Sequence, residues 1–168
     1  MKNRDPKVLR ITQGAVIAAL YVVLTMVFAP ISFGPVQVRI AEALCIMPMF
    51  TPAAIPELFI GSLIANLIGG GIMLDVIFGS LATLIGAVLG YMLRKNRWLV
   101  PLPAVIANAL IVPFVLKYGY GVVDVAIPVL MFQILLGEIA GCYVLGELLC
   151  TALQKNAGRI FRESPDNM

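Results

Sequence analysis

The chain has 168 residues, of which 61% are hydrophobic and only 12% charged, with a formal net charge of +3 and a mean hydropathy of +0.99. A soluble domain carries about a quarter of its residues as charged side chains, so this composition excludes a water-soluble globule and indicates a single integral membrane domain. Histidine is absent and the three cysteines form no CxxC, which excludes a His-based triad and argues against a zinc site or a disulfide framework.

Six apolar stretches are predicted as transmembrane helices, a full crossing needing about 20 residues. The first covers about 11–29. It is not a signal peptide alone, because similar runs continue to residue 153. Its inner end reads GAVIAA, placing Gly14 and Ala18, and likewise Ala15 and Ala19, four residues apart. Such small-residue spacing lets another helix backbone approach closely. Packing inside the bundle and a docking face for a second membrane protein both fit it.

Residues 30–44 then read PISFGPVQVRIAEAL, the most polar break in the apolar part of the chain. Irregular backbone at membrane depth survives only where protein buries it or where it lines a cavity. Residues 30–38 are therefore either a connector or a lid. The second and third spans are expected at about 38–50 and 55–68, separated by TPAAIP at 51–56, so they form a tight or irregular hairpin. The fourth is expected at about 76–93, the fifth at 99–116 and the sixth at 128–153, the last containing a GxxxG at Gly137 and Gly141.

Basic residues set the orientation. Ten of the 12 lie in the N-terminal tail (Lys2, Arg4, Lys7, Arg10), the loop after the fourth span (Arg94, Lys95, Arg97) and the C-terminal tail (Lys155, Arg159, Arg162). Six spans put all three segments on one face, which the positive-inside rule makes cytoplasmic. Both termini are thus expected inside, and Arg39 and Lys117 outside.

Polar residues within spans are costly and mark sites, pathways or helix contacts. Asn66, Asn108, Gln133 and Glu138 lie inside predicted spans, with Glu42 just below the first outer loop. At 1.5 Å per residue, Glu42 and Asn66 fall roughly 5 Å from the outer ends of their spans, Asn108 and Gln133 roughly 8–12 Å in, and Glu138 roughly 15 Å in. Together they outline a pocket that opens outward, although each amide alone fits interhelical hydrogen bonding equally well. Glu57 and Glu147, toward the inner ends of their spans, read as structural, and Glu147 invites a basic partner at the interface. No GxxxxGK[ST], HExxH or GxSxG occurs, so neither ATP binding nor enzyme chemistry is indicated, and no cofactor is implied.

Six short spans, the small-xxx-small first helix and the polar outer loop resemble the substrate-binding S-components of energy-coupling factor (ECF) transporters. The stretch PISFGPVQVRIAEAL followed by CIMPMF is similar to the QueT family of queuosine-precursor transporters. The resemblance implies a six-helix bundle in the prokaryotic cell membrane, with a ligand pocket near its outer face covered by the first outer loop. It also implies a complex with a transmembrane coupling protein and two cytoplasmic ATPases, the coupling protein contacting the small residues Ala15 and Ala19, with Gly14 and Ala18 offset by one. The implied ligands, 7-deazaguanines, present an N1–H beside an exocyclic amine, which one carboxylate can accept as a bidentate pair. Glu138 is the first choice for that role and Glu42 the second. Asn108, Asn66 and Gln133 suit the other ring edges, Gln37 lines the gate, and Phe33, Phe132 or Tyr118 would stack on the base. A ligand ammonium would take a second carboxylate, Glu42 or Asp75, while Arg39 would hold Glu42 or the loop. An S-component for another vitamin or nucleobase, and a membrane enzyme, stand as alternatives.

Overall fold

The computed structural model describes residues 6–32 and 38–155, and in these every regular element is helical. The α-helices are α1 (Pro6–Val27), α2 (Ala29–Ser32), α3 (Ala54–Ile68), α4 (Met73–Met92), α5 (Leu102–Phe114), α6 (Ile127–Glu138) and α7 (Gly146–Gln154). A 3₁₀ helix covers Ile40–Met49, and wide π-type turns cover Val115–Gly119 and Ile139–Leu145. Four helical stretches, Arg10–Val27, Met73–Met92, Leu102–Gly119 and Ile127–Gln154, are long and apolar enough to cross a membrane. Ile40–Met49 and Ala54–Ile68 are apolar but shorter.

The local geometry follows from the residues. Pro113 withholds an N–H from the α5 ladder, and the helix widens immediately after it. Ile40–Met49 carries Pro48 and adopts the tighter 3₁₀ form. At about 2.0 Å per residue its ten residues reach about 20 Å, against about 15 Å for an α-helix of equal length. Residues 41–48 are all buried. A helix that is apolar all round belongs inside the bundle, and this one occupies the centre, against α1, α3, α4, α7 and the wide turn Ile139–Leu145. Around it, α1 packs on α3, α3 on α4, α4 on α5 and α5 on α6.

Glycines set how closely this centre closes. A Cβ on Gly141 would stand 2.7 Å from the Arg39 carbonyl oxygen and 3.3 Å from Glu42 Cβ, and one on Gly86 would stand 2.7 Å from Ala104 Cα. The GxxxG of the last span therefore serves packing inside the bundle. Overpacking of a tight interior costs about 1–3 kcal/mol. Gly141→Ala is accordingly expected to lower the unfolding temperature of the purified protein, and an unchanged melting curve would show that this contact is loose.

The bundle has two distinct ends. At one, Arg97 pairs with Glu147 (Nε–Oε2 3.0 Å) and donates to Gln154 Oε1 at 3.5 Å, while Tyr143 donates to the Trp98 carbonyl. The Arg97 N–H is not aimed at the carboxylate, so charge more than hydrogen bonding holds the ion pair. Glu147 thus has the basic partner anticipated for it. At the other end, the loops around Ile72 and Tyr120 meet Asp75 and Arg39.

Candidate functional site: a buried polar chamber

Between the central 3₁₀ helix and its neighbours, six polar side chains are almost completely removed from solvent. Arg39, Glu42, Asn66, Asp75, Asn108 and Glu138 are each at most 4% exposed. They come from five segments: the start of the 3₁₀ helix, the last turn of α3, the first turn of α4, the middle of α5 and the end of α6. Burying so many polar groups in an otherwise apolar bundle costs stability unless each is satisfied or awaits a ligand.

Glu42 lies in the first turn of the 3₁₀ helix, where Gly141 lets the C-terminal segment close on it. The Tyr21 hydroxyl of α1 donates to Glu42 Oε1 at 2.5 Å. Tyr21 reaches the chamber because α1 buries the stripe Gly14, Ile17, Tyr21 and Thr25, spaced three and four residues apart as one helix face requires. Glu138 ends α6, and the wide turn that follows brings the Cys142 thiol back to donate to its Oε2 at 3.3 Å. Asn108 lies beside Glu138 close enough to act on its carboxyl, but its buried Nδ2 closes no hydrogen bond among the described residues.

A second group surrounds Asp75. Its Oδ2 accepts from the Tyr120 hydroxyl at 3.0 Å and stands 3.9 Å from Arg39 NH2. The Tyr120 oxygen in turn accepts from the Ile72 N–H at 3.3 Å, and Asn66 Nδ2 donates to the Asp75 carbonyl at 3.4 Å. Asp75 Oδ1 and Asn66 Oδ1 are buried acceptors with no hydrogen-bond donor among the described residues. The Arg39 guanidinium feels the charges of Asp75, Glu42 and Glu138 together, so the two groups share one electrostatic environment.

One carboxylate oxygen each from Glu42 and Glu138 and the Cys142 sulfur lie within 4.8 Å of one another, and these three side chains could hold a small cation. A metal would have to displace the Tyr21 and Cys142 hydrogen bonds and take the thiol as thiolate, with the Arg39 guanidinium acting on the same carboxylates. The donors already turned toward these oxygens fit an organic, hydrogen-bonding ligand better.

The residues singled out from the sequence divide by location. Arg39, Glu42, Asn66, Asn108 and Glu138 all belong to the chamber. Gln133 is half-buried on α6, about 140° around the helix from Glu138. Phe33 and Gln37, with most of the outer loop, lie outside the described residues. Phe132 and Tyr118, considered as stacking partners, are 59% and 73% exposed and face outward, since each sits on the apolar face of its helix. Tyr118 belongs to an apolar groove with Phe78 and Phe114. Arg39 contacts Asp75, a partner that its place beside Glu42 in sequence did not suggest. Tyr21 and Tyr120 escaped notice, the first hidden in an apolar run and the second in a loop.

The small residues of α1 part company as well. Gly14 is buried against Glu57 of α3, and Gly61 of α3 approaches the backbone of Ala18. Ala15 and Ala19 are exposed, in line with Ile11 and Val23.

Comparison with known proteins follows the same lines. The model of the family described as QueT transporter matches residues 11–155. The queuosine precursor transporter QueT of Lactococcus lactis subsp. cremoris (strain MG1363) is 41% identical over 81 residues, which cover 47% of this chain and 47% of that relative. The matched part thus spans about half the length of the curated relative. No solved structure matches the chain.

Proposed function

This chain belongs to the QueT transporter family, and from that premise we propose that it is the substrate-binding subunit of an ECF-type importer for queuosine precursors. Its family and its four long apolar helices make it a multi-pass membrane protein. In the proposed arrangement Ile40–Met49 and Ala54–Ile68 complete six spans in a prokaryotic plasma membrane, with both termini cytoplasmic. The clustering of basic residues supports that orientation. Arg97 lies at the same end of the bundle as Gln154, and the polar chamber reaches toward the opposite end.

The observation that carries the reading is the buried set Glu42, Glu138 and Asn108. Glu138 accepts the ligand's N1–H and exocyclic amine, a charge-assisted pair of hydrogen bonds. Asn108 Nδ2, which closes no hydrogen bond among the described residues, donates to O6. Glu42, fixed by Tyr21, holds the adjoining edge. These groups bind and orient; among the described residues no set for covalent chemistry accompanies them, and ATP hydrolysis falls to two partner ATPases through a membrane coupling protein. Ala15 and Ala19 form the outward stripe that meets the coupling protein.

Calorimetric titration of the purified protein with 7-deazaguanine precursors, guanine and common vitamins tests the substrate. Saturable heat with a deazaguanine and none with the vitamins is expected, with weaker heat from guanine, which shares the N1–H, exocyclic amine and O6 but lacks the 7-substituent. A response to a vitamin alone would reassign the pocket, and silence toward every deazaguanine would overturn the reading.

A further inference from the structure

We infer that Asp75 and Asn66 form a subsite for a positively charged amine, so that the protein selects a ligand bearing an ammonium group over a neutral ligand with the same ring. The inference rests on the deazaguanine reading above and deepens it. Three observations lead to it.

The first is the pattern of unsatisfied atoms. Among the described residues the chamber leaves Asn108 Nδ2 without an acceptor and, beside the Arg39 guanidinium, leaves two acceptors, Asp75 Oδ1 and Asn66 Oδ1, without a hydrogen-bond donor. Asn66 is fully buried and Asp75 is 2% exposed, so bulk water does not compensate these oxygens. Two buried acceptors that the neighbouring guanidinium does not satisfy match a group that carries only donors, and an ammonium has three N–H bonds and no lone pair.

The second is the way the acceptors are held. Tyr120 fixes Asp75 Oδ2 and Asn66 Nδ2 binds the Asp75 backbone, which leaves the remaining oxygen of each side chain available. Gly79, one turn along α4, keeps the space beside them clear: a Cβ there would stand 2.9 Å from Asp75 Oδ1 and 3.2 Å from Asn66 Nδ2.

The third is charge. Asp75, Glu42 and Glu138 are buried carboxylates, and Arg39 is the one buried cation among the described residues. A single guanidinium offsets a single carboxylate wherever it sits among the three. The chamber therefore holds more acidic groups than basic ones in a low-dielectric bundle, where charge interactions are much stronger than in water. An added cation would offset that excess.

The test compares the affinities of 7-aminomethyl- and 7-cyano-7-deazaguanine for the full chain in detergent or nanodiscs. A charge-assisted contact of this kind is expected to make the aminomethyl ligand about tenfold or more tighter. In Asp75→Asn that ratio should collapse toward one, with binding of the cyano ligand serving to show that the variant is folded. Equal affinities in the wild-type protein overturn the subsite while leaving the deazaguanine reading intact, and require no variant to fold. Binding of neither ligand overturns the deazaguanine reading itself. A preference that survives Asp75→Asn but disappears in Glu42→Gln overturns the assignment to Asp75 and moves the ammonium to Glu42.

Discussion

Replacing Glu138 with glutamine is expected to weaken precursor binding roughly 10- to 100-fold, the equivalent of about 1.5–3 kcal/mol for hydrogen bonds to a charged group. Glutamine has nearly the shape of glutamate, so the end of α6 and the wide turn beyond it keep their packing. Its carbonyl oxygen can still accept the Cys142 thiol, which lies 3.3 Å from Glu138 Oε2 in the native protein. What changes is the other end of the amide. An NH2 group would face ligand donors that need an acceptor, turning one good hydrogen bond into a donor–donor clash. The expected signature is a large loss of affinity with an unchanged unfolding temperature. Native affinity in the variant would remove Glu138 from the site and leave Glu42 to hold the ring edge.

Much of this architecture is legible in the sequence because a membrane imposes few alternatives. Apolar runs bounded by Pro, Gly and basic residues located the helices closely: 55–68 against Ala54–Ile68, 76–93 against Met73–Met92 and 128–153 against Ile127–Gln154. A polar residue in such a run has no reason to face lipid, and on that ground Asn66, Asn108 and Glu138 read as interior. Other features depend on contacts that no local pattern encodes. Ile40–Met49 reads as an ordinary apolar helix, and its residue pattern does not announce the 3₁₀ form it takes at the bundle centre. Tyr21 looks like any other apolar-run residue until α1 is rotated so that it meets Glu42. Asp75 reads only as one of two candidate carboxylates for a ligand ammonium, so its place as the partner of Arg39 and Tyr120 was not legible. Phe132 and Tyr118 failed for the opposite reason: their aromatic character suggested a stacking partner, while the helix rotation turns both outward.

The rotation of α1 also decides what its small residues can do. Substituting tryptophan at both Ala15 and Ala19 is expected to abolish co-purification with the coupling protein and reduce uptake to background, while ligand affinity stays at the native level. Both alanines are exposed along α1, with Ile11 and Val23 completing a stripe of four-residue spacing, and a stripe of that kind admits a partner helix to close range. Two indoles would fill that space without touching the chamber, because Tyr21, the α1 residue that binds Glu42, lies on the buried face. Gly14 provides the contrast. A Cβ there would stand 2.6 Å from Glu57 Cγ, so Gly14→Val should lower the unfolding temperature modestly by displacing the Glu57 side chain from the α1–α3 contact. The two lesions separate docking from folding. If the Ala15 and Ala19 substitutions left assembly intact, the coupling protein would have to meet another face. If they instead eliminated ligand binding, α1 would be shaping the chamber through its outward side, and the division of this helix into an internal and an external stripe would be wrong.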